Sequence, residues 1–499
     1  MEPHRPTKRR ANAVAEEAED RLSALPDDLL HSILREVPLK YAVRTSALSR
    51  RWPRLWLRAL ASSPVLDFSD RDFARCQPAA QAVATVRRCL RRQAKRGAAL
   101  DAFRVAFRSP ASGFKSDIVS WVAAALARGA REVAVDLTPT RWRRAIGDDW
   151  GLMDVDESAF LELPADLFRA TNSLVRLALV RCSLRAVPLG APGLLRRLEL
   201  VGCLGVMDFW FIVPALESFV FHGDITYFGA DSLIVNFGAT APALRDAYLS
   251  IIGFVYTYTD PDYYEAHCFA YYSLLTCVAH ATILTICSVG LQHIDAARAT
   301  AATMDVTEQQ RLLYLLRNPL IDATLAFRMD LPNLQELQLL MPSLCDDDVD
   351  RIAGFFEFTR PPIMGRLFIR LSGGKASCAS GGGGGTIVGM AGEDEDDAYI
   401  ASNSDLVLDH LKFIKLVNFR GTRCEVHLLE FVVSRAPALE QLVLVTVEGE
   451  GVLGDEQMKI VQDRVMAMQT ASPVFCVVVC RHSEDGSRSP AHTRFYHEE

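Results

Sequence analysis

"LPDDLLHSILREVP", residues 25–38, and "RTSALSRRWPRLW", residues 44–56, set the reading of this chain. Pro26 stands where a helix tolerates a missing N–H, and Asp27 and Asp28 fall in the positive first turn. Leu29, Leu30, Ile33 and Leu34 then recur at helical spacing until Pro38 ends the run. A second helical pattern runs from Leu39 to Leu48 through Tyr41, Ala42, Val43 and Ala47. Ser49 is placed to cap a third turn carrying Trp52, Leu55 and Trp56, with Pro53 tolerated only near its start. Three short helices in about 40 residues do not easily enclose a stable core of their own, and no cysteine or ligand cluster lies among them to compensate. The expectation is a helical head that needs a partner.

Leu25-Pro26, the leucine–isoleucine ladder and "AVRTSALSRRWPRLW" together resemble the F-box, a module that in its family docks onto the SKP-type adaptor of cullin–RING ubiquitin ligases. The resemblance implies an adaptor-binding set of Leu25, Pro26, Leu29, Leu30, Ile33, Leu34, Val43, Leu48, Ser49, Trp52, Leu55 and Trp56. Pro53 departs from the basic or polar residue that is commoner at its position.

The chain has 499 residues, 50% of them hydrophobic and 23% charged, an ordinary balance for a folded soluble protein. A net charge of −7 gives no general reason to expect nucleic acid as a partner. Twelve cysteines are scattered without a CxxC pair and no secretory signal is visible. Reduced thiols inside a cell are expected, in nucleus or cytoplasm, with no disulfide frame and no zinc site. The apolar stretch from Cys268 to Leu291 contains His280 with several Ser and Thr and lacks a flanking basic cluster, so it reads as a buried strand preceded by a helix and not as a membrane span.

The body of the chain repeats. An apolar residue is followed by apolar residues at plus three and plus five in Leu174, Leu177, Leu179; Leu195, Leu198, Leu200; Leu216, Phe219, Phe221; Leu334, Leu337, Leu339; Leu411, Ile414, Leu416; and Leu439, Leu442, Leu444. The alternation closing each unit predicts a short strand. Cys182 and Cys203 fall where a leucine-rich repeat places Asn or Cys to turn the chain out of its strand, so both are expected to be structural. The spacing is irregular, and a further unit is expected around Leu367 and Ile369.

"VSWVAAALARGAREVAVDL" predicts a helix from Asp117 to Arg128, broken at Gly129, then a strand through Val133 and Val135. Units that alternate strand with helix or loop, none able to close its own core, stack into a solenoid with one continuous sheet, whose concave face is the natural binding surface. "SWVAAALARGAREVAVDL", "ELPADLFRATNSLVRLALVRCSL" and "ALESFVFHGD" resemble, in that order, units of plant F-box proteins with leucine-rich repeats. "LKFIKLVNFRGTRCEVHLLEFVVSRAPALEQLVL" is similar to the FBD segment that often closes such chains, whereas Ile251 to Tyr272 fits poorly. The fold class expected is α/β: a short all-helical N-terminal F-box followed by an irregular leucine-rich-repeat solenoid. Its division is a flexible tail over 1–20, an F-box over 21–60, repeats over 61–372, a Gly-rich and acidic linker over 373–405, last FBD-like repeats over 406–480 and a flexible tail over 481–499.

No pattern supports catalysis. Asp346, Asp348, Asp350 and Glu357 copy calcium-loop spacing, but Arg351 occupies the glycine position and Ile352 to Phe358 is too apolar, which leaves an acidic helix cap. "GGGGGT" at Gly381 lacks the Lys-Ser/Thr of a phosphate cradle and reads as linker. No HExxH, HxH or GxSxG occurs. "RPTKRR" near the N-terminus is a basic tail open to nuclear import, and Arg87, Arg88, Arg91, Arg92, Lys95 and Arg96 line one side of an amphipathic surface helix without interleaved aromatics. The expected role is therefore that of a receptor: a SKP-type adaptor, and through it cullin and RING subunits, at the head, and an unidentified protein target on the repeats. No cofactor, metal, membrane or nucleic acid is implied. A repeat scaffold without a ligase, or a small-molecule receptor using the concave face, are the alternatives.

Overall fold

The ladder of leucines ends in a sheet. The computed structural model describes residues 25–495 apart from 38, 49, 70–77, 96–98, 108–111, 139–159, 165–166, 169–172, 185–192, 204–212, 224–240, 252–267, 269–270, 273, 304–328, 342–343, 373–405, 449–452 and 474. The strands are β1 (Val65–Phe68), β2 (Ala102–Ala106), β3 (Glu132–Asp136), β4 (Leu161–Glu162), β5 (Arg176–Val180), β6 (Cys182–Ser183), β7 (Arg197–Val201), β8 (Ser218–Gly223), β9 (Asp246–Ile251), β10 (Ile283–Cys287), β11 (Glu336–Met341), β12 (Arg366–Leu371), β13 (Phe413–Phe419), β14 (Gln441–Thr446) and β15 (Cys476–Cys480). Thirteen of them form one sheet in the order β1-β2-β3-β5-β7-β8-β9-β10-β11-β12-β13-β14-β15, while β4 pairs with β6. Neighbouring strands run parallel, as in β5 with β7 and β13 with β14. Each crossover advances the chain by one strand in the same direction, which is how a solenoid is built.

The repeat supplies its register. Leu177 lies beside Leu198, Leu198 beside Phe219, Leu337 beside Leu367 and Ile414 beside Leu442. All the apolar triads are buried, and they join one core shared with the helices. The unit expected around Leu367 and Ile369 is β12. Arg181, Gly202 and Asn418 each stand seven positions after the first leucine of their unit, and all have positive φ, 57°, 55° and 65°. The chain turns sharply out of the strand there. In two units a buried cysteine follows at once, and the Cys203 thiol donates to the Leu179 carbonyl of the preceding unit at 3.3 Å.

Helices cover the core face of the sheet. Lys115–Ala127 buries Ile118, Trp121, Val122, Ala125 and Leu126, and Gly129 at φ 79° returns the chain to β3. Ala79–Lys95 is the basic amphipathic helix, with Val83, Val86, Cys89 and Leu90 inward. The acidic run at residue 346 opens the helix Asp346–Thr359, where the Asp348 carboxylate accepts the Cys345 amide at 3.1 Å. Thr422 and Glu425 form a reciprocal capping box before Arg423–Val433. The apolar stretch at Cys268–Leu291 contains β10, and among the described residues no helix is long and apolar enough to cross a membrane.

At the head, Asp27–Glu36, Leu39–Arg44 and Trp52–Ser62 are helical, with a 3-10 turn at Thr45–Ala47. The expected cap is corrected: Arg51, not Ser49, precedes the third helix, and Pro53 fits because it falls within its first two positions. Two further expectations, the linker over 373–405 and the tail over 1–20, lie outside the described residues, as does the basic stretch "RPTKRR".

Candidate functional site

The head's helices sort the ladder into two faces. Leu30 and Leu34 are buried against Ala42, Trp52, Leu55 and Ala59, with Leu25, Val37 and Trp56 at the margin of this small core. Arg51 pins the entry by pairing with Asp27 and donating to the Leu25 carbonyl at 2.9 Å. His31 Nε2 lies 2.9 Å from the Ser62 hydroxyl, tying the first helix to the third. Leu29 and Ile33, four residues apart and so on one helical face, are 54% and 44% exposed, and Tyr41 and Leu48 are 53% and 59% exposed. Exposed apolar side chains of that size, concentrated in twenty residues, have the makings of a contact surface.

The residues of the expected adaptor-binding set thus divide between the head's interior and its surface. Leu30 and Leu34 of the first helix are buried against Trp52 and Leu55 of the third, and the four hold the head together from inside. Pro26, Leu29, Ile33 and Leu48 remain outside, Leu25 and Trp56 are partly buried, Ser49 lies outside the described residues and nothing is described of the Val43 side chain. Tyr41, which the second helical pattern counts among its apolar residues, is also exposed. The head is not a separate ball either: Trp56 touches both its core and the solenoid core, and the buried Gln93 amide donates to the Ser63 carbonyl at 2.5 Å.

The second surface is the sheet face turned away from the helices. Register places Asp67, Arg104, Ala134, Ala178 and Glu199 side by side across its first strands. With the flanking row they make a ladder of alternating charge. Arg104 bridges Asp67 at 2.8 Å and Glu132 at 2.7 Å, and Arg176 reaches Glu132 at 3.2 Å. Burial works against ionisation of Asp67 and Glu132, but the Ser69 hydrogen bonds to the first and the Arg104 guanidinium beside both outweigh it, so both carboxyls sit below their ordinary range.

Further along, the same row continues as Tyr248, Thr285, Gln338, Phe368 and Lys415. These side chains are buried, and what lies over them is the end of the chain. The flexible tail expected over 481–499 is corrected for its described part, to residue 495. Lys415 Nζ lies 2.6 Å from the Asp485 carboxylate, Glu336 accepts the Ala491 amide at 2.7 Å, and Gln338 donates to the His492 carbonyl at 3.0 Å. Arg494 reaches Glu199 at 3.1 Å, and the Arg370 guanidinium stacks 3.8 Å from the centre of the Phe495 ring. The segment is too polar to signal packing by hydrophobicity; it is held because the sheet face carries polar groups that need partners once covered.

Among the described residues no group of three or more His, Cys, Asp or Glu is disposed to hold a metal ion. Burial pushes the Cys203 thiol up to about 11 and Cys182 well above its usual value, which makes both poor nucleophiles and fits their structural part in the turns.

Comparison with known proteins agrees with this division. The F-box domain family matches residues 22–59 and the FBD family residues 405–444, the latter spanning β13, the Thr422-capped helix and most of β14. An F-box/FBD/LRR-repeat protein of Arabidopsis thaliana is 26% identical over 250 residues, 47% of this chain and 53% of that protein. Another F-box/FBD/LRR-repeat protein of the same plant is 53% identical over 55 residues, 11% of either chain. An F-box/LRR-repeat protein, also from Arabidopsis thaliana, is 32% identical over 120 residues, 24% of this chain and 26% of the other. The matches thus span from about a tenth to about half of these relatives' lengths. The chain therefore carries a match to the F-box domain at its helical head and a match to the FBD over β13 and β14, and its repeats form a sheet of parallel strands.

Proposed function

We propose that this chain is the target-recruiting subunit of an SCF-type cullin–RING ubiquitin ligase, its head docking a SKP-type adaptor and its repeats holding a protein target. The observation that carries the reading is the head's division of labour. Leu30, Leu34, Trp52 and Leu55 close a small core, which leaves Leu29, Ile33, Tyr41 and Leu48 presented to solvent within the F-box match. Such side chains, once covered by a partner, become the few residues that dominate an interface. Through the adaptor the chain joins cullin and RING subunits, and it acts by proximity. A target fixed near a ubiquitin-charged enzyme meets it at an effective concentration far above that of two free proteins, so no group of this chain takes or gives a proton.

Trp56 and Gln93 couple the head to the solenoid core, which favours a fixed spacing between adaptor and target over a loosely tethered one. Reconstitution tests the proposal. Ubiquitin conjugation to the chain itself or to a bound target is expected only when adaptor, cullin and RING subunits are all present. Conjugation by this chain with charged carrier enzyme alone would overturn it, and adaptor binding without any conjugation would leave a scaffold in its place.

A further inference from the structure

The sheet face over β9–β13 already holds a peptide, namely the chain's own. Residues 485–495 cross it without helix or strand. The polar groups beneath are buried as in an occupied site: Thr285, Gln338 and Lys415 are 0%, 1% and 3% exposed. Main-chain contacts grip the segment, since Lys415 donates to the Arg488 carbonyl at 3.1 Å beside the Glu336 and Gln338 contacts to Ala491 and His492. Side-chain contacts select it. The His492 ring sits 2.8 Å from the Thr285 hydroxyl and 3.2 Å from the Asp246 carboxylate, edge-on to Tyr248. Main-chain hydrogen bonds accept any extended segment, whereas pockets for particular side chains give specificity.

We propose that this groove is the target-recognition site and that residues 485–495 occupy it as a built-in mimic. The partner it fits is an extended protein segment carrying a carboxylate, a histidine seven positions later, and an arginine and an aromatic ring two and three positions after that, as Asp485, His492, Arg494 and Phe495 do here. The proposal rests on the reading of the repeats as the target-holding part. A tethered occupant competes at roughly millimolar effective concentration, so the groove opens only to a tighter ligand or after the segment is released.

The test uses the full chain and a fluorescent peptide of residues 481–495. The variant Asp485→Ala with His492→Ala and Arg494→Ala is expected to bind the peptide at least about tenfold more tightly than the unsubstituted chain. Adding Lys415→Ala and Gln338→Ala should remove that binding. Equal affinity for the two chains, or none for either, would overturn the proposal. Should the triple variant fold poorly, hydrogen exchange on the unsubstituted chain decides: isotope-labelled peptide at roughly ten times the millimolar effective concentration of the tethered segment should speed exchange of the chain's own 485–495 amides, and unchanged exchange would overturn the proposal. Adaptor pull-down on the same proteins reads the ligase proposal separately. Retained adaptor binding with no peptide binding removes the groove alone, and peptide binding without adaptor binding removes the ligase reading alone.

Discussion

Lys415 on β13 and Asp485 in the C-terminal segment lie 70 residues apart and meet at 2.6 Å, beneath a cover that leaves the lysine side chain 4% exposed. The ammonium also donates to the Arg488 carbonyl. A nearly buried cation on a sheet is costly without such partners, so the anchor of the chain's end and the satisfaction of the sheet face are one interaction.

Lys415→Ala should therefore release residues 485–495. The expected loss in global stability is on the order of 2 kcal/mol, because removing one member of a largely buried pair strands the other. Lys415→Met combined with Asp485→Leu should recover part of it. Denaturant unfolding measures the first effect and amide exchange of the segment the second; exchange unchanged from the parent chain would mean that the pair anchors nothing.

Acid should loosen the same contact. Burial pushes the Asp485 carboxyl up, but the Lys415 ammonium and the Ser487 hydrogen bonds outweigh that and hold it below the ordinary 3.8. A carboxyl lowered in the folded state contributes stability that is complete above its unfolded value and fades as pH falls through the folded one. Asp67 and Glu132 are shifted in the same direction. Exchange of residues 485–495 should be alike at pH 7 and pH 5 after correction for intrinsic rate, and should rise only below about pH 4. A rise already complete by pH 5 would contradict the assignment.

Thiol reactivity should follow position in the repeat. Cys182, Cys203 and Cys287 are buried, and burial raises all three thiols above their usual value. Cys476 is exposed. Alkylation of the native chain, read by mass spectrometry, should label Cys476 well before the other three. Early labelling of Cys203 would show that the turn after β7 opens freely.

The solenoid was legible because its signal is periodic: each leucine triad is one strand and its approach, and all six triads became strands of one parallel sheet in register. Two further units keep the phase but carry alanine at one of the three positions. Ala281, Leu284 and Ile286 make β10, and Leu244, Ala247 and Leu249 make β9 with alanine in the middle. The head's helices were equally legible, but not which side of each faces a partner. Leu29 and Leu30 are both leucines in one apolar ladder, and only the crossing of the third helix decides that one is 54% exposed and the other 0%. The docked C-terminal segment was invisible for a further reason. "RHSEDGSRSPAHTRFYHEE" lacks the apolar periodicity by which packing announces itself, and its partners on β9–β13 are single polar residues set within apolar strands.

The exposed row on the head carries the account, and adaptor affinity measures it most directly. Leu29→Ser together with Ile33→Ser in the full chain should weaken binding of a purified SKP-type adaptor by about 2 kcal/mol or more, roughly thirtyfold, with the thermal midpoint unchanged. Leu30→Ala should differ by lowering stability, by about 2–5 kcal/mol, through the cavity it leaves in the head's core. Titration calorimetry on the Leu29→Ser/Ile33→Ser chain is the measurement: a thirtyfold weaker complex with an intact fold is the predicted result, and affinity equal to that of the unsubstituted chain would contradict the account.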